Sequence, residues 1–293
     1  MPEDLIVTRE IAAVPTRHED AHKGEVGRIV VIGGCCGDVV MVGAPALAAN
    51  AAFRSGAGLV HVLAPEPICP FIAVLASCAT TRRLPKDAAG LAQAVKDFNA
   101  DVVAAGPGLG NSLSGAVLAE FLATFPGPVV VDADGLNALA SVPAFSVPDP
   151  HRIILTPHPG ELRRLLAGRG LDREVDRTPP SRRAAACALV EAYGCTVVLK
   201  GRGTIVTNGD RIYTNETGNA GMATGGSGDV LTGVIAALIG QGMEPFEAAI
   251  LGVYLHGLAG DYAAEELGRL PMTALDVLDY LPEAFREHEM AEG

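Results

Sequence analysis

Asn219-Ala-Gly-Met-Ala-Thr-Gly-Gly-Ser-Gly-Asp229 runs straight into Val230-Leu-Thr-Gly-Val-Ile-Ala-Ala-Leu-Ile239. Large apolar residues at 230, 231, 234, 235 and 238 repeat with the period of a helix, so the spacing predicts a helix over 229–239. Gly240 and Gly242 suit its C-terminal end. Gly221, Gly225, Gly226 and Gly228 precede it, with only small side chains or Met222 among them. The unpaired N–H groups and positive dipole end of the helix therefore open onto a nearly bare loop, which suits an anion. Asp229 stands where the helix begins, either as its cap or as a base beside a bound phosphate. A cap needs no clearance, and four glycines favour the phosphate reading. No Gly-Lys-Ser/Thr follows, so the loop is not a Walker A motif.

Around this loop, short β-rich runs alternate with helical stretches. The runs are 28–32, 59–63, 101–105, 128–131, 152–155 and 196–199, with 204–206 and 211–213 bracketing a hairpin at Asn208-Gly209. Helices are predicted over about 44–55, 88–99, 112–124, 181–193, 229–239, 246–266 and 273–288. The Pro-rich patches at 143–150 and 178–180 read as surface loops. The expected fold is a three-layer α/β domain: a mainly parallel central sheet with helices on both faces and an antiparallel hairpin near one end. A single domain over 1–293 is expected, with no linker or repeat.

Four strands run into loops of glycine and polar groups: Gly106-Pro-Gly-Leu-Gly110, Asp132-Ala-Asp-Gly135, Thr156-Pro-His-Pro-Gly-Glu161 and Lys200-Gly-Arg-Gly-Thr204. In open α/β sheets ligands bind outside the carboxyl ends of the strands. With the 219–229 loop these pieces predict one long cleft. Asp132, at a strand end, and Glu161 are candidates for holding Mg²⁺ through water, although Glu161 also suits a helix start. Capping is the plainer reading of Asp134. His158 is fixed by two prolines and a glycine, which favours ligand contact over a merely hydrogen-bonded role. Gly201 and Gly203 beside Lys200 suggest backbone wrapped around a nucleotide. His22-Lys-Gly-Glu-Val-Gly27 is a weaker phosphate candidate, and Gly43-Ala44-Pro45 leaves room for a flat ligand.

Composition narrows the class. Hydrophobic residues make up 49% of the 293 and aromatics 4%, which suits close helix–sheet packing. A net charge of −12 argues against a nucleic-acid surface. Only four of the 22 basic residues are lysine, as in a salt-adapted host or a GC-rich genome. No run is long enough to span a membrane and the start is not a signal peptide, so a cytoplasmic protein is expected. The six cysteines show no CxxC spacing, which predicts reduced thiols; Cys35-Cys36 reads as small packing residues.

In this order, His22-Lys-Gly-x-x-Gly27, Gly43-Ala44 through Arg54-Ser-Gly-Ala-Gly-Leu59, Gly106 to Gly110, Asp132-x-Asp-Gly-Leu-Asn-Ala-Leu139, Thr156 to Glu161, Lys200-Gly-x-x-Thr204 and Gly218 to Leu231 resemble the ADP/ATP-dependent NAD(P)H-hydrate dehydratases of the ribokinase-like superfamily. The resemblance covers about residues 20–280. It implies phosphoryl transfer from ADP or ATP, with Mg²⁺, to the ring hydroxyl of hydrated NADH or NADPH, then phosphate loss that restores the double bond. Carried over by position, Ala44, Gly108 and His158 contact the hydrated dinucleotide. Lys200, Gly201, Arg202, Gly203, Thr204, Gly225, Gly226 and Gly228 hold the adenine nucleotide. Asp229 contacts the substrate and is its catalytic base. The resemblance also implies a homo-oligomer, a tetramer being one form. Any epimerase is expected on a separate chain. Where sugar kinases of the superfamily carry Asn-x-x-Glu, this chain has His158-Pro-Gly-Glu161, which favours the repair branch. The alternatives are a kinase of the same fold acting on a thiazole, pyrimidine or sugar alcohol, and a non-catalytic nucleotide-binding regulator, which Asp229 disfavours.

Overall fold

The computed structural model describes residues 5–142, 145–172, 175, 176 and 178–292. Its strands are β1 Ile6–Val7, β2 Arg28–Ile32, β3 Cys35–Cys36, β4 Val40–Met41, β5 Leu59–Ala64, β6 Thr80–Arg83, β7 Val102–Ala105, β8 Val129–Val131, β9 Ile153–Leu155, β10 Thr196–Leu199, β11 Ile205–Thr207 and β12 Arg211–Thr214. Its α-helices are α1 Gly43–Arg54, α2 Cys69–Leu75, α3 Ala88–Phe98, α4 Gly115–Thr124, α5 Ala133–Ala140, α6 Pro159–Gly168, α7 Pro179–Tyr193, α8 Ser227–Gly240, α9 Pro245–Leu267 and α10 Ala274–Glu292.

One ten-stranded sheet runs β1-β12-β11-β10-β9-β8-β7-β2-β5-β6. Pairing is parallel except where β11 meets β10 and β12, so the expected parallel sheet with a terminal hairpin is found. Side chains alternate between its faces. Ile29 and Val31 of β2 pack with α1, α8, α9 and α10, while Val30 and Ile32 pack with the layer of α3 to α7. Full burial of each such side chain contributes about 1.5–3 kcal/mol, and the Val/Ile runs are continuous because both faces are covered.

Helix α8 differs from its sequence reading. Every residue from Val230 to Ile239 is buried, not one stripe, because α1 and α9 cover what the sheet does not. Gly240 stays inside the helix, and Gly242, at φ +94°, makes the left-handed exit.

Other differences are local. Pro179 and Pro180 open α7 rather than lying in a loop, since proline's fixed φ suits the first turn. In the other Pro-rich patch, residues 143 and 144 lie outside the described residues. Asp132 to Gly135, read as a loop, contains the start of α5. Cys36 is exposed rather than packed, while Cys35 is buried, and none of the six cysteines is in a disulfide. His22 to Gly27 leads into the amino end of β2, and Gly27 packs against Gly240 at the far end of α8. The stretch is therefore on the wrong edge of the sheet to serve the cleft.

Candidate active site

The loops after β2, β7, β8, β9 and β10 all leave the carboxyl edge of the sheet. Gly106, after β7, has φ +125°, and a Cβ there would lie 1.8 Å from the Asp132 carbonyl oxygen. Only glycine lets the β7 and β8 loops touch in this way. The Gly110 N–H then donates to Asp134 Oδ2 at 2.8 Å, so Asp134 braces the neighbouring loop rather than capping α5.

Asp132 is 1% exposed. Its Oδ1 pairs with the Lys200 ammonium, and its Oδ2 accepts from Thr232 Oγ1 at 2.9 Å. Lys200 Nζ also lies 3.8 Å from Glu161 Oε2. A Cβ placed on Gly228 would be 3.3 Å from Lys200 Nζ and 3.5 Å from Asp132 Oδ2. The ion pair thus sits directly under the first turn of α8, where free N–H groups gather.

Asp229 is in that first turn, but Gly226 occupies the cap position and no side chain caps the helix. The capping reading of Asp229 therefore fails. Burial first, then the charge of Asp132, pushes its carboxyl up to about 7, with Lys200 pulling the other way. A carboxyl held there is matched to accepting a proton at neutral pH. Behind the turn, the His256 ring nitrogen Nε2 lies 2.9 Å from the Ser227 carbonyl oxygen, and burial holds this histidine down at about 4.

His158 and Glu161 form a capping box at the start of α6. Gly160 N–H donates to His158 Nδ1 at 2.9 Å, and His158 N–H donates to Glu161 Oε2 at 2.8 Å. His158 Nε2 lies 3.3 Å from Glu161 Oε1. Burial draws the His158 ring below its ordinary value, and Glu161 opposes this. The helix-start and ligand readings of these residues therefore coexist, because half of the His158 side chain remains exposed.

Ala44 lies in the first turn of α1, against Gly108: a Cβ on Gly108 would be 2.9 Å from Ala44 Cβ. Gly225 faces open space, and Gly226 backs onto Leu47. Gly201, Arg202, Gly203 and Thr204 form the turn between β10 and β11, with Gly201 and Arg202 exposed. Thr204 Oγ1 donates to the Gly201 carbonyl at 2.9 Å.

Two further residues organise the site. Thr232, one turn beyond Asp229, ties α8 to Asp132; a hydroxyl within the apolar run 230–239 was its only mark in the sequence. Arg182 of α7 is buried, and its Nη2 reaches the carbonyls of Leu199, Lys200 and Gly203 at 3.2, 3.4 and 3.4 Å. It holds the 200–203 turn from behind, and nothing in the local sequence announced it.

The arrangement provides an anion site at α8, a poised carboxyl beside it, a cation beneath, and a turn of backbone at one side. The NAD(P)H-hydrate dehydratase family model matches residues 29–283. The ADP-dependent (S)-NAD(P)H-hydrate dehydratase of Neisseria meningitidis is 42% identical over 255 residues, covering 86% of this chain and 82% of that protein. A bifunctional NAD(P)H-hydrate repair enzyme of Moorella thermoacetica is 41% identical over 285 residues, covering 94% of this chain. The chain spans about half the length of that enzyme, 52%, and of the bifunctional NAD(P)H-hydrate repair enzyme of Thermofilum pendens, 54%. The ADP/ATP-dependent NAD(P)H-hydrate dehydratase of Bacillus subtilis, co-crystallised with ATP and Mg²⁺, superposes with a TM-score of 0.78 at 29% identity, covering 94% of this chain and 95% of that one. The chain belongs to the NAD(P)H-hydrate dehydratase family.

Proposed function

We propose that this chain, acting as one ribokinase-like domain, repairs hydrated NADH or NADPH by ADP- or ATP-dependent dehydration. The observation that carries this reading is the Asp229 carboxyl, raised to about 7 at the N-terminus of α8 beside Gly228 and Lys200. Asp229 takes the proton of the ring hydroxyl as its oxygen attacks the terminal phosphorus of the nucleotide. First-turn N–H groups of α8 and the Lys200 charge stabilise the transferred group. Phosphate then leaves with its bonding pair, a proton leaves the adjacent ring carbon, and the ring double bond returns. Ala44, Gly108 and His158 orient the dinucleotide, and the 200–204 turn with Gly225, Gly226 and Gly228 receives the nucleotide.

The residues fit Mg²⁺ bound chiefly by phosphate oxygens and water. Glu161 and Asp132 are hard oxygen donors joined through Lys200, and no larger ligand cluster exists among the described residues. The oxygens of Asp132 and of Glu161 all have protein partners, so either carboxylate would reach the ion through a bound water. The ion supplies charge neutralisation on the transferring phosphate. Among the described residues no helix is long and apolar enough to cross a membrane, in keeping with work in the cytoplasm. Exposed Phe71, Val74 and Leu75 on one face of α2 suit a homo-oligomer.

The test is to mix purified protein with hydrated NADPH, Mg²⁺ and ADP or ATP and follow reduced-nicotinamide absorbance. Its return supports the reading. A phosphorylated product that accumulates without that return would make the chain a kinase instead.

A further inference from the structure

The cleft does not end at Gly108. Further along the same sheet edge, beyond β5 and β6, lies a pocket of about 370 Å³ lined by Cys36, Glu66, Pro67, Arg83, Lys86 and Ser112, among others. The wall between the two places is continuous. The β3–β4 hairpin pairs Cys35 with Met41 and Cys36 with Val40. Met41 Cβ lies 3.1 Å from where a Gly108 Cβ would stand, and Cys35 packs on Gly110. The next residue, Cys36, alternates to the other side and lines the pocket. Ser112 closes the gap from the Gly106–Gly110 loop, donating to the Gly34 carbonyl at 3.1 Å.

The position has the right span. From β7, whose loop carries Gly108, the sheet order passes β2 and β5 to reach β6. Three inter-strand spacings are about 14 Å, comparable with an extended dinucleotide from nicotinamide to adenine. The charge is also suited. In a chain of net charge −12, Arg82, Arg83 and Lys86 fall within five positions. Arg82 is engaged with Asp97 at 3.0 Å. Arg83 has only a loose, exposed contact of 3.8 Å with Glu66, which an incoming phosphate can displace. Arg83 and Lys86 thus present two cations at the pocket mouth, with Pro67 and Leu84 as apolar wall for a base.

We propose that this pocket receives the adenosine end of the hydrated dinucleotide, and that Arg83 and Lys86 engage its 2′-phosphate when the substrate is the NADPH form. The inference rests on the proposed function and adds a second binding region to it, remote from Asp229.

The test uses the whole chain, with NADPH and NADH as stable probes titrated in a binding experiment, and ADP as control. The Arg83→Gln/Lys86→Gln variant changes only exposed side chains. It is expected to weaken NADPH by about tenfold or more and NADH by far less, with ADP unchanged. Cys36→Trp, which fills the pocket, is expected to weaken both dinucleotides and leave ADP unchanged. Equal affinity of wild type and both variants for NADPH would overturn the proposal while leaving the function standing. Equal weakening of ADP by the charge variant would overturn it too. A wild-type chain that binds ADP but neither dinucleotide would defeat the functional reading itself.

Discussion

Lys200 and Asp132 follow strands that are not neighbours, β10 and β8, yet their side chains meet as an ion pair under Gly228. The carboxylate side is almost wholly buried, at 1%. Removing one partner of such a pair leaves the other uncompensated. Lys200→Met is therefore expected to cost about 3–5 kcal/mol in urea unfolding and to weaken ADP more than the dinucleotide. Adding Asp132→Asn should recover much of the stability but not the ADP affinity. An unchanged unfolding midpoint in Lys200→Met would mean that solvent screens the pair.

Asp229→Asn should fold, bind ADP and lose about 10²–10⁴ in rate. Its effect on stability has a definite sign. The folded carboxyl titrates near 7 against an ordinary 3.8, so the native state favours the protonated form. Stability from this group is complete below the ordinary value and is lost as pH rises through about 7. The ceiling of that loss is on the order of 4 kcal/mol. Wild type should therefore fall behind Asp229→Asn in melting temperature between pH 4 and 7 and then run parallel. Wild-type kcat should rise through the same pH region. A flat difference in melting temperature would remove the case for a raised carboxyl.

Glu161→Gln keeps an acceptor for the His158 N–H but loses the charge near Lys200. We expect a higher Mg²⁺ requirement with little change in melting temperature. His158→Ala loses the cap of α6, worth about 1 kcal/mol, and should raise KM for the hydrated dinucleotide. Wild-type Mg²⁺ dependence in Glu161→Gln would reduce that residue to a helix start.

Arg182→Met strips one donor group from three carbonyls of the 199–203 segment. ADP affinity measured by calorimetry should fall by about tenfold, roughly one charge-assisted hydrogen bond. Turnover at saturating ADP should stay near wild type. Unaltered ADP binding would show that the turn keeps its shape unaided.

The sequence carried most of the sheet because its core strands are apolar on both faces. Arg28–Ile32 and Thr196–Leu199 stand where their composition places them. Strand β6, Thr80–Arg83, escaped notice because a polar edge strand lacks that pattern. Helix α2 was hidden by its seven-residue length and its flanking prolines. Helix α5 begins with Ala133 at φ +50°, an entry that no local preference predicts. In the site, the glycine loops were legible because bare backbone at strand ends is a local signal. The bond between Thr232 and Asp132 joins residues 100 apart in the chain and exists only after packing. Arg182 acts on backbone carbonyls, which leave no trace in residue identity.

Helices α1 and α8 both start at the carboxyl edge of the sheet and run side by side. Midway along, a Cβ on Gly233 would lie 2.1 Å from the Ala48 carbonyl oxygen. The two helices therefore touch backbone to backbone, and their first turns carry Ala44 and Gly228. On the proposed function, the separation between the dinucleotide and phosphate stations is thus gauged by a missing methyl group. Any side chain at 233 would act as a shim, prising the two stations apart without touching either ligand, so the reach of the transfer is set half a helix away from where it happens.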